Sequence, residues 1–157
     1  MIFLFKLYRI FLKKYTEFKL TELKQLLHTC GSKFSIHEPY YVSGSEFISI
    51  GNNVRLGAFI QIWGQGGLTI EDDCLIASHV TITTLTHDQN TKKFNEKTLS
   101  MPIHIGKNVW IGTHAIILPG VSIGDNSIIG AGTIVNKNIA ANSVVVGAPA
   151  RLIKTLR

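Results

Sequence analysis

The sequence predicts an all-β chain, folded as a parallel β-solenoid that follows one N-terminal helical segment. The first observation is a repeat, because aliphatic side chains recur every six residues through much of the chain, and a glycine often follows them. The second is composition: the chain is 9% aromatic and holds 14 glycines, which favours strands and turns over a helix bundle. The third is spacing, since a helix would need apolar intervals of three and four residues. The repeated positions are Ile50, Leu56, Ile62, Ile70, Ile76, Ile82, Ile105, Ile111, Ile117, Ile123, Ile129 and Val135.

Each six-residue unit predicts one short strand and one turn. The aliphatic side chain points inward, and glycine permits the backbone torsions of a sharp corner. Three units close a triangular coil, and stacked coils pair their strands in parallel, so that backbone N–H and C=O groups find partners above and below. A short fixed period is typical of solenoids. We expect the solenoid to occupy residues 31–148, with a polar loop extruded at residues 83–100.

Residues 1–30 have the pattern of a basic amphipathic helix. They carry six Lys or Arg and two Glu, so this segment supplies +4 of the chain's net charge of +6. No small-residue cleavage site follows, and charges interrupt the apolar run too often for a membrane span. Two interpretations stay open: the helix packs on the domain or a partner subunit, or residues 1–14 rest peripherally on an anionic membrane. The apolar positions are Leu4, Leu7, Tyr8, Phe11, Leu12 and Tyr15; the basic ones are Lys6, Arg9, Lys13 and Lys14.

The two cysteines, Cys30 and Cys74, lie far apart in the sequence. They form neither a disulfide framework nor a CxxC metal site, which predicts a reducing compartment and therefore the cytoplasm. Cys74 falls at an inward position of the repeat. We therefore expect a structural thiol there and not a nucleophile.

The segment from Pro102 to Ile153 contains "IGKNVWIG", "ILPGVSIGDNSIIGAG" and "GAPAR". With these motifs it resembles the hexapeptide-repeat acyltransferases, in the branch of galactoside and maltose acetyltransferases and polysaccharide O-acetyltransferases. The resemblance implies a left-handed parallel β-helix with a C-terminal tail or short helix at residues 149–157. It also implies a homotrimer, with acetyl-CoA in the groove between neighbouring coils.

The same resemblance implies which residues form the site. The family's catalytic histidine lies just before the extruded loop, and that position here is His87. Trp110 matches a tryptophan beside the pantetheine arm, and Thr113 matches a small residue whose backbone amide faces the thioester carbonyl. Further cofactor-binding positions are implied at Ala131, along the pantetheine, and at Asn136, Lys137 and Arg151, near the nucleotide end.

The chemistry of acyl transfer suits these residue types. A neutral histidine can take the proton of an attacking hydroxyl because its ordinary pKa lies near neutrality. A backbone N–H at Thr113 can stabilise the tetrahedral oxyanion. The acceptor pocket departs from the family, which often has His-Pro at the catalytic position and an Asn in the coil before it. In this chain "LGAFIQIW" occupies that coil, and we expect Gln61 to supply a polar contact and Trp63 a stacking face for a sugar.

The extruded loop is rich in charged residues. Lys92, Lys93 and Lys97 form either a solvated surface or a flap across a neighbouring subunit's groove, near the 3′-phosphate of CoA. Asp88 and Glu96 are the candidates to orient the catalytic imidazole.

The resemblance implies an acetyl-CoA-dependent O-acetyltransferase acting on a sugar hydroxyl of a surface-polysaccharide or glycolipid precursor, with His87 as general base. We expect a cytoplasmic protein, peripheral at the inner face of the membrane if the basic helix binds lipid, with no metal and no nucleic-acid partner. One alternative is N-acetylation of an amino sugar or nucleotide-sugar. A second is a zinc-dependent hydratase of the γ-carbonic anhydrase type, which would use His79, His104 and His114, and a third is a non-enzymatic trimeric scaffold.

Overall fold

The computed structural model describes residues 2–157, which form one helix followed by a β-solenoid. The helix is α1 (Ile2–Leu26), and one 3-10 turn covers Ser45–Phe47. The strands are β1 (Thr29–Cys30), β2 (Ser35–Ile36), β3 (Tyr41–Ser43), β4 (Ile48–Ile50), β5 (Arg55–Leu56), β6 (Gln61–Trp63), β7 (Leu68–Ile70), β8 (Leu75–Ile76), β9 (Thr81–Thr83), β10 (Leu85–His87), β11 (Thr98–Ser100), β12 (Ile103–Ile105), β13 (Trp110–Ile111), β14 (Ile116–Ile117), β15 (Ser122–Ile123), β16 (Ile128–Ile129), β17 (Ile134–Val135), β18 (Ser143–Val146) and β19 (Arg151–Thr155).

Three sheets form the faces of the solenoid, and the chain visits them in turn. Sheet A has the order β1-β4-β7-β12-β15, sheet B the order β19-β18-β16-β13-β8-β5-β2, and sheet C the order β17-β14-β9-β6-β3. All pairings within them are parallel except that of β18 with β19. The parallel β-helix expected from the sequence is confirmed.

The repeated aliphatic side chains stack in three columns that fill the interior. In sheet A, for example, Ile50 pairs with Ile70, Ile70 with Ile105, and Ile105 with Ile123, and all four are buried. Burying a side chain of this size contributes about 1.5–3 kcal/mol. The six-residue period therefore sets the register, because a one-residue slip would turn each column outward.

Tight contacts between coils explain glycine at the corners. A Cβ atom on Gly112 would lie 2.6 Å from the backbone nitrogen of Ala131 in the next coil. A side chain there would force neighbouring coils apart. Glycine is thus required at this position for close approach, whereas the positive φ of the same corner falls on His114.

The ends of the solenoid differ from the sequence-based boundaries. The first coil begins at Thr29, two residues before the expected start at residue 31, because β1 already pairs with β4. At the other end, the expected tail or short helix is a strand, β19, which runs antiparallel to β18 and covers the edge of sheet B. The extruded loop is a hairpin in which β10 pairs antiparallel with β11.

Helix α1 contacts the solenoid only through its C-terminal part. Leu23 and Leu27 are buried, Leu20 is half-buried, and residues 3–18 are exposed throughout. The Tyr40 hydroxyl donates to the carbonyl of Lys19 at 3.4 Å, and this hydrogen bond also links the C-terminal part of α1 to the solenoid. Among the described residues, no helix combines the length and apolar character that crossing a bilayer requires.

Candidate active site

We name the three corners of the solenoid by the sheets they join: A–B, B–C and C–A. The hairpin leaves the solenoid at the C–A corner, between β9 and β12, and carries His87 at the end of β10. The imidazole is exposed, and it has no hydrogen-bond partner among residues 2–157. Its ring nitrogens are therefore available to a bound substrate.

The root of the hairpin is fixed by a buried threonine. The Thr84 backbone N–H and hydroxyl both donate to the carbonyl of Trp63, at 2.9 and 2.8 Å. The same hydroxyl accepts the N–H of Gly66 at 2.8 Å, and the Thr84 carbonyl accepts the N–H of Met101 at 2.8 Å. These bonds hold both ends of the hairpin, so they also set where the imidazole stands.

Asp88 stabilises the hairpin and does not orient the imidazole. Its carboxylate accepts the backbone N–H of Asn90 at 3.0 Å and Lys97 Nζ at 2.9 Å. The Asn90 hydrogen bond, followed by the Lys97 contact, lowers the pKa of the Asp88 carboxyl. The pairing also engages Lys97, whereas Lys92 and Lys93 are exposed without an acidic partner among residues 2–157.

The B–C corner presents backbone N–H groups that are free of hydrogen bonds from the described part of the chain. Within residues 2–157, the N–H groups of Thr113 and Ala131 make no hydrogen bond. At the matching place in an earlier coil, the N–H of Ala58 is taken by the Ser78 hydroxyl at 3.1 Å. The later coils thus leave two donors free in neighbouring turns, which is the type of group an oxyanion or a pantetheine amide can bind.

Trp110 lies on the outer face of sheet B, in the strand that leads into this corner. It is 50% exposed, and its neighbours in register are Leu75 and Ile128. A groove of about 540 Å³ runs beside it. The groove is lined by Asn108, Trp110, Asn126, Ile128, Asn142, Leu156 and Arg157.

The basic residues expected near a nucleotide lie at two places. Asn136 and Lys137 follow β17 at the C–A corner, and both are exposed. Arg151 begins β19 at the edge of sheet B and is also exposed. Neither basic side chain has an acidic partner among the described residues.

One copy of the chain does not bring all of the expected site together. His87 stands at the C–A corner, whereas Thr113 and Ala131 stand at the B–C corner. Sheet C separates the two corners, and its strands of two to three residues span roughly 7–10 Å before the turns are added. A complete site needs these corners to come from different copies or needs His87 to reach across sheet C.

Sheet C carries an aromatic pair below the hairpin. Gln61 and Trp63 both point outward from β6, and Trp63 pairs in register with Thr83, just before the hairpin. The Tyr41 ring lies 5.5 Å from the Trp63 ring, with an angle of 50° between their planes. Tyr41 is half-exposed at 51% and was not expected from the sequence. The six-residue spacing of Ile36, Val42 and Ile48 is the signal that could have found this earlier coil.

A stack of rings that the sequence analysis missed follows the B–C corner. Phe59 stacks on His79 with centroids 4.7 Å apart, and His79 stacks on His114 at 4.6 Å. All three residues have positive φ at the corner, where successive coils place them one above another. His104, in contrast, lies on sheet A with its Nε2 3.2 Å from a Glu71 oxygen. Residues 2–157 contain no group of three or more His, Cys, Asp or Glu placed to hold a metal ion.

Cys74 is a structural residue, as its place in the repeat predicts. It is buried, and its Sγ donates to the carbonyl of Gly106 at 3.1 Å. Burial raises the pKa of the Cys74 thiol to about 11. The thiol is therefore neutral near pH 7 and unsuited to nucleophilic attack.

Comparisons with known proteins agree with this geometry. Residues 102–137 match the family model described as bacterial transferase hexapeptide (six repeats), and residues 47–84 match the hexapeptide repeat of succinyl-transferase. Galactoside O-acetyltransferase of Escherichia coli is 41% identical over 85% of this chain and 66% of its own length, so the chain spans about two thirds of that relative.

Solved structures give the same result. A maltose O-acetyltransferase from Clostridium difficile is 34% identical, with a TM-score of 0.83 over 86% of this chain and 73% of that one. A galactoside acetyltransferase in complex with coenzyme A is 37% identical, with a TM-score of 0.83 over 90% and 71%. A more distant structure, a mutant of the N-acyltransferase AntD from Bacillus cereus in complex with dTDP and coenzyme A, is 25% identical, with a TM-score of 0.70 over 87% and 89%. The chain therefore belongs to the hexapeptide-repeat acetyltransferases of the galactoside and maltose O-acetyltransferase type.

Proposed function

We propose that the protein transfers an acetyl group from acetyl-CoA to a hydroxyl of a sugar, in a surface-polysaccharide or glycolipid precursor. The observation that carries the proposal is the exposed His87 imidazole on a hairpin whose root is fixed by Thr84. The similarity to a galactoside acetyltransferase in complex with coenzyme A and to a maltose O-acetyltransferase supports the donor and the class of acceptor.

The complete site forms between copies of a homotrimer. In this arrangement, His87 at the C–A corner of one copy faces the B–C corner of its neighbour, where the N–H groups of Thr113 and Ala131 are free. A cyclic trimer creates three equivalent grooves of this kind. The separation of the two corners by sheet C within one chain supports this arrangement.

Acetyl-CoA lies along that groove. Trp110, half-exposed on sheet B, offers an apolar surface to the pantetheine arm, and the N–H of Ala131 offers a donor to its amides. Lys137 and Arg151, exposed and without acidic partners among residues 2–157, attract the phosphates of the nucleotide, with Asn136 beside them. Lys92 and Lys93 of the hairpin add positive charge to the neighbouring groove.

The reaction needs one base and one set of donors. The acceptor oxygen attacks the thioester carbonyl carbon while neutral His87 takes its proton, which contributes about 10²–10⁴-fold to the rate. The carbonyl oxygen becomes an oxyanion that the N–H of Thr113 stabilises. The carbon–sulfur bond then breaks, the acetyl ester is complete, and the proton passes from the imidazolium to the departing thiolate.

The acceptor sugar binds on sheet C beneath the hairpin. Trp63 and Tyr41 form a paired aromatic surface for the apolar face of a sugar ring, and Gln61 supplies hydrogen bonds to its hydroxyls. Because Trp63 also accepts both Thr84 hydrogen bonds through its carbonyl, this surface and the hairpin have a fixed relative position.

N-acetylation is the second candidate, and the structural similarity to an N-acyltransferase favours it. The same base can take the proton of an attacking amine, so the residues of the site do not separate the two reactions. A panel of sugars, amino sugars, nucleotide-sugars and glycolipids, screened for acceptor-dependent release of CoA, separates them.

The decisive variants are His87→Ala and His104→Ala. We expect His87→Ala to lower kcat by about 10²–10⁴-fold with the oligomer intact. His104→Ala, on the outer face of sheet A where its Nε2 contacts Glu71, is the matched control and keeps full activity. If His87→Ala retains acceptor-dependent CoA release, the base is misassigned. If His104→Ala is inactive and the protein contains stoichiometric zinc, the hydratase alternative is favoured.

A further inference from the structure

The first half of α1 is a helix that the described part of its own chain leaves uncovered. Sixteen consecutive residues, from 3 to 18, are exposed, which corresponds to a length of roughly 24 Å. Five large apolar side chains recur along one side at intervals of three and four residues. We call them the apolar stripe: Leu4, Leu7, Phe11, Tyr15 and Phe18, each at least 49% exposed.

The apolar stripe points away from the solenoid. Leu23 and Leu27 mark the side of α1 that packs on the solenoid. Phe18 precedes Leu27 by about two and a half turns, which places it on the opposite side of the helix. The solenoid of the same chain therefore cannot cover the stripe while the packed leucines stay in place.

Basic side chains lie mainly on the side of the helix opposite the stripe, since Arg9 precedes Phe18 by about two and a half turns. Lys6, Arg9, Lys13 and Lys14 lie in this part of the helix, and the first acidic residue of the sequence is Glu17. The basic side chains outnumber the acidic ones: among residues 2–157, only Lys13 of this group has an acidic partner, Glu17, with its Nζ 3.9 Å from a carboxylate oxygen. Two such helices packed together in an oligomer would bring eight like charges into one small region, which Coulomb repulsion opposes. An anionic lipid surface, in contrast, neutralises these charges while the stripe enters the acyl boundary.

We propose that the first half of α1 binds the surface of an anionic lipid bilayer, with the apolar stripe inserted and the basic side chains at the headgroups. Met1 lies outside the described residues, and the contact involves residues 3–18. The helix lies in the interface and does not cross it. The proposal stands apart from the acetyl transfer reaction, and it places the solenoid beside a membrane surface.

The test is flotation of the full-length protein with vesicles of phosphatidylcholine, with and without phosphatidylglycerol. We expect binding to the anionic vesicles only, and weaker binding as salt increases. The double variant Arg9→Gln/Lys13→Gln should weaken binding by about 25-fold, since each basic residue near the surface contributes about fivefold. Leu7→Ser/Phe11→Ser should abolish it.

The matched control removes two charges elsewhere. Lys154 and Arg157 are exposed near the C-terminus, and Lys154→Gln/Arg157→Gln should bind anionic vesicles as the unchanged protein does. Residues 3–18 are exposed, so circular dichroism and thermal unfolding should show an intact fold in the helix variants. Activity towards a soluble acceptor should also be unchanged in them, which separates this proposal from the catalytic one.

Two results would overturn the proposal. The first is failure of the protein to float with anionic vesicles; a change of oligomeric state in Leu7→Ser/Phe11→Ser would then assign the stripe to a second copy. The second is equal binding to neutral vesicles.

Discussion

Thr84 offers a direct way to separate hairpin position from solenoid folding. Its side chain is fully buried, and its hydroxyl donates to the carbonyl of Trp63 and accepts the N–H of Gly66, both at 2.8 Å. Thr84→Val keeps the shape and removes both bonds. The Trp63 carbonyl retains the Thr84 backbone N–H, but the Gly66 N–H loses the Thr84 hydroxyl as its acceptor.

The expected loss of stability follows from the one hydrogen bond that the Gly66 N–H no longer makes. A buried donor left without its partner costs about 1–3 kcal/mol. For a chain of this size, each kcal/mol lowers the Tm by roughly 2–4 °C. Because the hairpin root moves, we also expect kcat to fall by about 10- to 100-fold, since a displacement near 1 Å can cost that much. The KM for acetyl-CoA should stay the same, because Trp110 and the B–C corner are untouched.

The assay is calorimetry together with steady-state kinetics on Thr84→Val and Thr84→Ser. Serine keeps the hydroxyl, so it should restore most of kcat even if it loses some packing. The reasoning would be refuted if the valine variant melted earlier but kept its kcat, since the hairpin root would then not determine where the imidazole stands.

Three further predictions follow from individual side chains. Trp110→Ala should raise the KM for acetyl-CoA at least tenfold, which corresponds roughly to the free energy of burying one aromatic side chain, with a smaller effect on kcat. An unchanged KM would contradict the cofactor placement. A thiol reagent should modify the half-buried Cys30 in the folded protein and leave Cys74 unreacted until unfolding, as read by mass spectrometry; rapid labelling of both would argue against the buried assignment. Because the pKa of Asp88 is lowered, its ionised carboxylate stabilises the hairpin at neutral pH, and this contribution is lost as pH falls through the folded-state pKa. Protection of the hairpin from proteolysis should therefore decrease in acid. Asp88→Asn should remove that pH dependence.

The solenoid could be predicted from the sequence because the same buried aliphatic contact repeats every six residues. Each inward aliphatic residue contacts its equivalents in the coils above and below, as Ile70 does with Ile50 and Ile105. A period of six therefore specifies both the strand and its register. The repeat is harder to follow in the first coil because its inward residues, such as Phe34, are less regular in type.

The site was less predictable than the fold, because several contacts between its residues form only once the chain has folded. The position of His87 before the loop is visible in the sequence. Asp88 does not contact the imidazole because its carboxylate binds Asn90 and Lys97, and those contacts form only in the folded hairpin. Tyr41 is separated from Trp63 by a full coil, and their contact exists only because two strands pair. The strand β19 likewise depends on an open sheet edge and not on its own residues.

Subunit complementation tests most directly the claim that His87 and the B–C corner act from different copies. His87→Ala removes the base, and Ala131→Trp, at an exposed corner position, blocks the path of the pantetheine. Each variant alone should be inactive. Unfolded together and refolded as mixed oligomers in equal amounts, they should regain about one quarter of the unchanged protein's activity, because about one interface in four pairs an intact His87 with an intact corner. No recovered activity in oligomers shown to be mixed would mean that both groups act within one chain, contrary to this account.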